Sequence, residues 1–212
     1  MSKAESKRLG IIDYGMGNLS SVTKMALRTG AEVRVISNSS ELAWADRLVL
    51  PGVGAFPDAM TELARRDLIH PLKKAVFEDK KPILGICLGM ELMAKSSDEI
   101  RPTEGLGWLN AQIVPFDRAS GIRVPHVGWN QISVRQKSPL LEGVAEGSFF
   151  YFVHSYHMVC EDKSQVAATT SYGGEVVAAV HRDNIYGAQF HPEKSQASGF
   201  IVFMNFVNGV AG

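Results

Sequence analysis

Pro82-Ile83-Leu84-Gly85-Ile86-Cys87-Leu88-Gly89-Met90-Glu91-Leu92-Met93 is the stretch from which the rest of the chain can be read. An apolar run of strand length enters Gly85-Ile86-Cys87-Leu88-Gly89, and apolar positions at helical spacing leave it. This is the layout of a nucleophile elbow, G-x-S-x-G, with cysteine in place of serine. So sharp a reversal holds its central residue in strained backbone geometry and brings neighbouring backbone close, so the flanking positions want glycine. A helix opening at Leu88 is expected to favour thiolate over thiol at Cys87. The competing reading is an inert cysteine buried at the end of a parallel strand, the commoner fate of a lone cysteine. The paired glycines favour the nucleophile.

Toward the N-terminus the same alternation recurs. Leu9-Gly10-Ile11-Ile12 is an apolar run ending at Asp13 and the turn Gly15-Met16-Gly17. Asn18, Ser20 and Ser21 can cap a helix with apolar positions Val22, Met25, Ala26 and Leu27, stopped by Gly30. Glu32 to Ile36 and Arg47 to Leu50 predict further strands, the second running into Pro51-Gly52-Val53-Gly54, and one helical stretch is expected from Asp58 to about Glu78. Strand and helix in alternation imply an α/β fold with a mostly parallel central sheet flanked by helices. Beyond Gly105, runs rich in Val, Ile, Tyr and Phe at Gln112 to Phe116, Asn130 to Val134 and Phe149 to Val159 predict antiparallel strands added to that sheet. Val176 to His181 and Ile185 to Phe190 are the last expected strands, before a helix from about Ala197 to Val207. No linker-like stretch or internal repeat divides the chain, so one domain over residues 1–212 is expected.

Composition bounds the function. With 212 residues, 45% hydrophobic and 21% charged, the chain is in the globular range. Lys plus Arg equals Asp plus Glu at 22 each, so no net positive field gathers nucleic acid or anionic membrane. Cys87 and Cys160 are the two cysteines, which excludes a disulfide scaffold and a CxxC metal site. The apolar run after the polar Met1 to Gly10 stops at Asp13, too short for a signal sequence or a membrane span, and a reducing cytoplasm is the expected location. No metal or cofactor is called for.

A nucleophile needs a base. Of six histidines, His191 is best placed, because a strand runs straight into His191-Pro192-Glu193. Residues two apart in extended chain project to one side, so the Glu193 carboxylate can orient the His191 imidazole and complete a Cys-His-Glu triad. His154 is assigned to a substrate pocket, and the other histidines to surface or core. For a developing oxyanion, the amides of Val53 in the glycine loop and of Leu88 beside the nucleophile are the candidate donors. Gly15-Met16-Gly17 lacks the third glycine of a dinucleotide fingerprint and is read as a turn.

These features resemble the class I (triad) glutamine amidotransferases, in which a cysteine elbow and a late His-Pro-Glu form a glutaminase centre. Five segments carry the likeness: Ile12-Asp13-Tyr14-Gly15-Met16-Gly17-Asn18-Leu19, Leu50-Pro51-Gly52-Val53-Gly54-Ala55-Phe56, Pro125-His126-Val127-Gly128-Trp129-Asn130, Tyr151-Phe152-Val153-His154-Ser155-Tyr156 and Gln189-Phe190-His191-Pro192-Glu193-Lys194-Ser195. They most resemble the branch that feeds ammonia to a cyclase in histidine biosynthesis. The resemblance implies L-glutamine as substrate, a glutamyl thioester on Cys87, and a heterodimer with a cyclase subunit of TIM-barrel fold that receives the ammonia. It implies substrate contacts at Gly52, Gly54, Glu91, Glu99, His154, Ser155 and Tyr156, and a partner interface at Asn18, Trp129, Tyr151 and Lys194.

One departure stands out. The family usually has Gln where this chain has Glu91, and a carboxylate there would accept from the substrate ammonium but repel its carboxylate. Glu91 adds weight to an alternative, a paralogous subunit supplying ammonia to surface-sugar biosynthesis. Two further classes remain: a cysteine hydrolase or protease, which has no need of the glycine loop and His-Pro-Glu together, and a binding module in which Cys87 is unreactive.

Overall fold

The computed structural model describes residues 6–117 and 121–210. The first half contains β1 (Arg8–Ile12), α1 (Leu19–Arg28), β2 (Glu32–Ile36), β3 (Arg47–Gly52), α2 (Phe56–Arg65), α3 (Ile69–Phe77), β4 (Ile83–Cys87) and the single turn α4 (Leu88–Glu91). Short strands β5 (Ser96–Ser97) and β6 (Thr103–Glu104) precede β7 (Ala111–Pro115), β8 (His126–Gln131) and β9 (Ser133–Val134). Then come β10 (Phe149–His154), β11 (Tyr156–Cys160), β12 (Val166–Ser171), β13 (Glu175–Arg182), β14 (Ile185–Ala188) and α5 (Gln196–Met204).

Eight strands form the central sheet in the order β2-β1-β3-β4-β14-β13-β12-β9. The first five run parallel, and β13, β12 and β9 continue the sheet antiparallel. The central strands are buried on both faces, as their apolar runs require. One core layer, including Leu48, Leu50, Phe56, Leu63 and Leu72, lies toward α2 and α3. The other, including Ile11, Val22, Met25, Leu84 and Phe203, lies toward α1 and α5.

The structure corrects four expectations. The helix expected from Asp58 to Glu78 is two, because Asp67 adopts φ 51° and Pro71, which lacks an amide proton, sits in the first turn of α3. The run Asn130 to Val134 divides into β8 and β9 around the buried Ile132, and Phe149 to Val159 divides at Ser155. The antiparallel strands are not all added to the main sheet: β8 and β10 form a separate ribbon, and β11, β7, β5 and β6 a third sheet. The helix after Cys87 is one turn long, which removes the extended dipole expected to lower its thiol pKa. Among the described residues, no helix is long and apolar enough to cross a membrane.

Register converges the loops. Gly52 pairs with Cys87 across β3 and β4, and Ile86 with Ala188 across β4 and β14. The glycine loop, the elbow and the segment Gln189 to Glu193 therefore leave the sheet side by side, at the carboxyl ends of parallel strands where α/β sheets place their sites.

Candidate active site

Cys87 occupies φ 53°, ψ −114°, a strained conformation for a residue bearing a side chain. The flanking glycines permit it: a Cβ on Gly89 would lie 1.8 Å from the Leu50 carbonyl oxygen, and one on Gly85 would lie 2.7 Å from that of Gly89. Cys87 is 6% exposed, and its Sγ donates to the Val153 carbonyl at 3.7 Å. Burial pushes the thiol well above its ordinary pKa, and the nearby Glu91 charge adds to the rise, while the Leu88 amide pulls the other way. The environment favours the thiol over the thiolate, contrary to the sequence expectation, so a Cys87 that attacks a substrate needs a base to take its proton.

His191 Nδ1 lies 2.7 Å from Glu193 Oε1, while among the described residues its Nε2 has no hydrogen-bond partner. A cavity of about 420 Å³ is lined by Cys87, Leu88, Glu91, Glu99, His154, Ser155, Tyr156, His191, Val53, Gly54 and Lys194, all singled out in the sequence, together with Pro125 and Val153. Gly52 and Glu193 do not line the cavity; Gly52 pairs with Cys87 across β3 and β4, and Glu193 is tied to His191. Asn18, Trp129 and Tyr151 do not line it.

The polar walls have distinct attachments. Glu99 Oε2 accepts from the Phe56 amide at 2.8 Å, at the N-terminus of α2 where an anion is favoured. The Val53 amide donates to the Met16 carbonyl at 3.4 Å, so it is not free to serve an oxyanion in this conformation. Asn18 caps α1 by accepting from the Ser21 amide at 3.4 Å.

Two histidines form a chain whose tautomers follow from its ends. The carbonyl of Tyr156 can only accept, so His154 Nδ1, 2.7 Å away, carries a proton. His154 Nε2 then accepts from His126 Nδ1 at 3.0 Å, and His126 Nε2 accepts from Asn130 Nδ2 at 3.4 Å. Burial keeps both rings neutral, pulling His126 down to about 4 and His154 to about 3. Sequence reasoning placed His154 in the pocket and left His126 a surface or core role; it is buried, but its bond to His154 went unread because the partner stands across β8 and β10 and not in local sequence.

The ribbon links this wall to the surface. Its outward face exposes Val127, Trp129 and Phe149, while Phe150, Phe152, His126 and His154 point inward. Trp129 and Tyr151 meet edge to face with centroids 6.0 Å apart, and Lys194 Nζ stands 5.5 Å above the Tyr151 ring. The Tyr151 carbonyl accepts from the His191 amide at 2.9 Å. Three of the four expected interface residues thus cluster around the strand whose Tyr151 carbonyl holds the His191 amide.

The family model for class-I glutamine amidotransferase matches residues 10–208. The imidazole glycerol phosphate synthase subunit HisH 2 of Methanococcus maripaludis is 45% identical over 199 residues, covering 94% of this chain and 98% of that protein. The HisH subunit of Rhodopirellula baltica is 47% identical over 196 residues, 92% of this chain and 95% of its own. That of Geobacillus thermodenitrificans is 46% identical over 208 residues, with 96% and 97% covered. Among solved structures, a chain in the PurLQS complex of Thermotoga maritima aligns with a TM-score of 0.76 at 20% identity, covering 96% of this chain and 98% of that one. A likeness at that identity speaks to the fold, which is thereby the one expected.

Proposed function

Since the chain belongs to the class-I glutamine amidotransferase family, we propose that it is the glutaminase subunit of an imidazole glycerol phosphate synthase, releasing ammonia from L-glutamine for a cyclase subunit in histidine biosynthesis. The observation that carries this reading is the shared cavity of Cys87 and His191, with the imidazole tied to Glu193 through Nδ1 and its Nε2 left unpaired among the described residues.

The chemistry follows from those atoms. His191 Nε2 takes the Cys87 proton as Sγ attacks the side-chain carbonyl carbon of glutamine. The carbonyl oxygen becomes an oxyanion facing the Leu88 amide and, after a turn of its peptide, that of Val53. Collapse of the tetrahedral intermediate breaks the C–N bond, and His191 returns its proton to the departing nitrogen, so that ammonia leaves and a thioester remains. Water, deprotonated by His191, cleaves the thioester to glutamate and restores the thiol. His154, Ser155 and Tyr156, with Gly52, Gly54, Glu91 and Glu99, surround the substrate. The apolar outer face of the ribbon, with Asn18 and Lys194, suits a partner, which we assign to a cyclase subunit of TIM-barrel fold in a cytoplasmic heterodimer.

The test is glutamate formation from L-glutamine by the chain with and without its cyclase subunit. Glutamine-dependent product that persists after Cys87→Ala would overturn the reading, as would a wild-type complex that works only on added ammonia.

A further inference from the structure

Gln189 follows β14 and precedes the base by two residues, and its side chain is fully buried. A buried primary amide needs partners for its donors and its acceptor. Nε2 donates to Glu91 Oε1 at 2.8 Å and stands 4.0 Å from Cys87 Sγ, whereas Oε1 finds no partner among the described residues. Glu91 is itself 5% exposed, and among the described residues Gln189 is the one hydrogen-bond donor to its carboxylate. The two side chains therefore form a buried unit that reaches Cys87 through the Gln189 amide, while Glu91 also lines the cavity.

We propose that Gln189 is a positioning residue of the glutaminase centre, its amide holding the Glu91 carboxylate at the pocket floor and so setting the charge that the Cys87 sulfur meets. The proposal rests on the glutaminase reading for its meaning, though not for its test. An ionised carboxylate beside Sγ opposes thiolate formation, and a hydrogen bond donated to that carboxylate favours its ionised form. The ionisable groups around the unit are Cys87 on β4, Tyr14 after β1, Glu99 before β6, His154 on β10, and His191 and Lys194 after β14, with Glu193 behind His191. Burial raises Glu91 to about 7, the bond from Gln189 opposes that rise, and the Glu99 charge adds to it. With these opposing causes the carboxylate is poised to change charge near neutral pH, and the donated bond from Gln189 favours its ionised form. A glutamine at this position would offer a constant dipole, whereas Glu91 is a group whose charge depends on its tie.

Alkylation of Cys87 by iodoacetamide, followed at its own peptide by mass spectrometry across the neutral range, tests this without requiring glutamine turnover. The wild-type rate should show an inflection from Glu91. In Gln189→Met, which keeps the volume but cannot donate, that inflection should move to higher pH by about one unit, the worth of one hydrogen bond to a charged group. Glu91→Gln should abolish it, and adding Gln189→Met in that background should cause no further shift. An unmoved inflection in folded Gln189→Met, or an inflection that survives Glu91→Gln, overturns the proposal. If Gln189→Met fails to fold, Gln189→Asn, whose shorter side chain withdraws the amide from Glu91, takes its place with the same expected shift and the same overturning result. Glutamine hydrolysis by the wild-type complex separately tests the glutaminase reading, so the two failures are distinguishable.

Discussion

His191 Nδ1 and Glu193 Oε1 meet at 2.7 Å with both side chains almost wholly buried. The bond leaves Nε2 as the ring nitrogen available to the substrate, so base and orienting group have separate consequences. His191→Ala should lower kcat for glutamine hydrolysis by about 10²–10⁴, the usual worth of general acid-base catalysis. Glu193→Ala should cost less, because it acts through the ring. Steady-state kinetics of the complex check the order, and a larger loss at Glu193 would reverse the roles.

Cys87→Ala should abolish glutamine-dependent synthesis in the complex while synthesis from added ammonium salt proceeds at the wild-type rate. The triad makes only ammonia, so bypassing it should bypass the lesion. Parallel assays with the two nitrogen sources decide this, and loss of both activities would mean that Cys87 supports the assembly itself.

The Val53 amide is engaged by the Met16 carbonyl, so the isolated chain should be a poor glutaminase until partner binding turns that peptide toward the oxyanion. Gly52 and Gly54 on either side lower the steric cost of the turn. One oxyanion donor is worth about 10²–10³ in rate. Val53→Pro, which removes the donor, should flatten stimulation by the partner, whereas Val53→Ala should retain it. Equal rates for the free chain and the complex would dismiss the switch.

Glu91 has a stability consequence of defined sign. A carboxyl whose pKa rises from 4.5 in the unfolded chain to about 7 in the folded one holds its proton more tightly when folded, so stability falls as pH rises through that interval. Glu91→Gln should therefore raise Tm above pH 7 by several degrees and leave it nearly unchanged near pH 4.5. Its KM for glutamine should be unchanged or lower, because the repulsion of the substrate carboxylate is gone. Calorimetry at the two pH values and a substrate titration check both statements.

The His126–His154 chain makes a spectroscopic prediction. Both rings should carry their proton on Nδ1, visible in nitrogen-proton correlation spectra, and should remain neutral well below the ordinary histidine pKa. Because burial lowers both folded-state values, these rings reduce stability as pH falls from 6.5 toward about 4 and about 3. Titration of either ring near 6.5 in the folded protein would contradict the buried chain.

Much of this site was legible because it is written in local geometry. Gly85-Ile86-Cys87-Leu88-Gly89 encodes a strand end, a forbidden pair of Cβ positions and a turn within five residues, and His191-Pro192-Glu193 encodes a dyad within three. The parallel strands were equally readable as apolar runs punctuated by glycine. What escaped depends on distance. The union of Gln189 with Glu91 needs β4 and β14 in register, and that of His126 with His154 needs the ribbon of β8 and β10 closed across the long connection between them. The one-turn α4 escaped for a related reason: Leu92 and Met93 continue a helical apolar pattern, but they are spent as core ahead of Gly105, whose amide bonds back to Lys95.

The ribbon of β8 and β10 carries an apolar exposed face and a pocket wall on alternate residues of the same two strands. Insertion or deletion of a single residue just before β8 would exchange the faces of that strand, turning Trp129 inward and His126 outward together. Drift in this segment is therefore confined to replacement in place. Any lineage that reshapes this exposed surface must do so one side chain at a time, and the chamber behind it is inherited along with it.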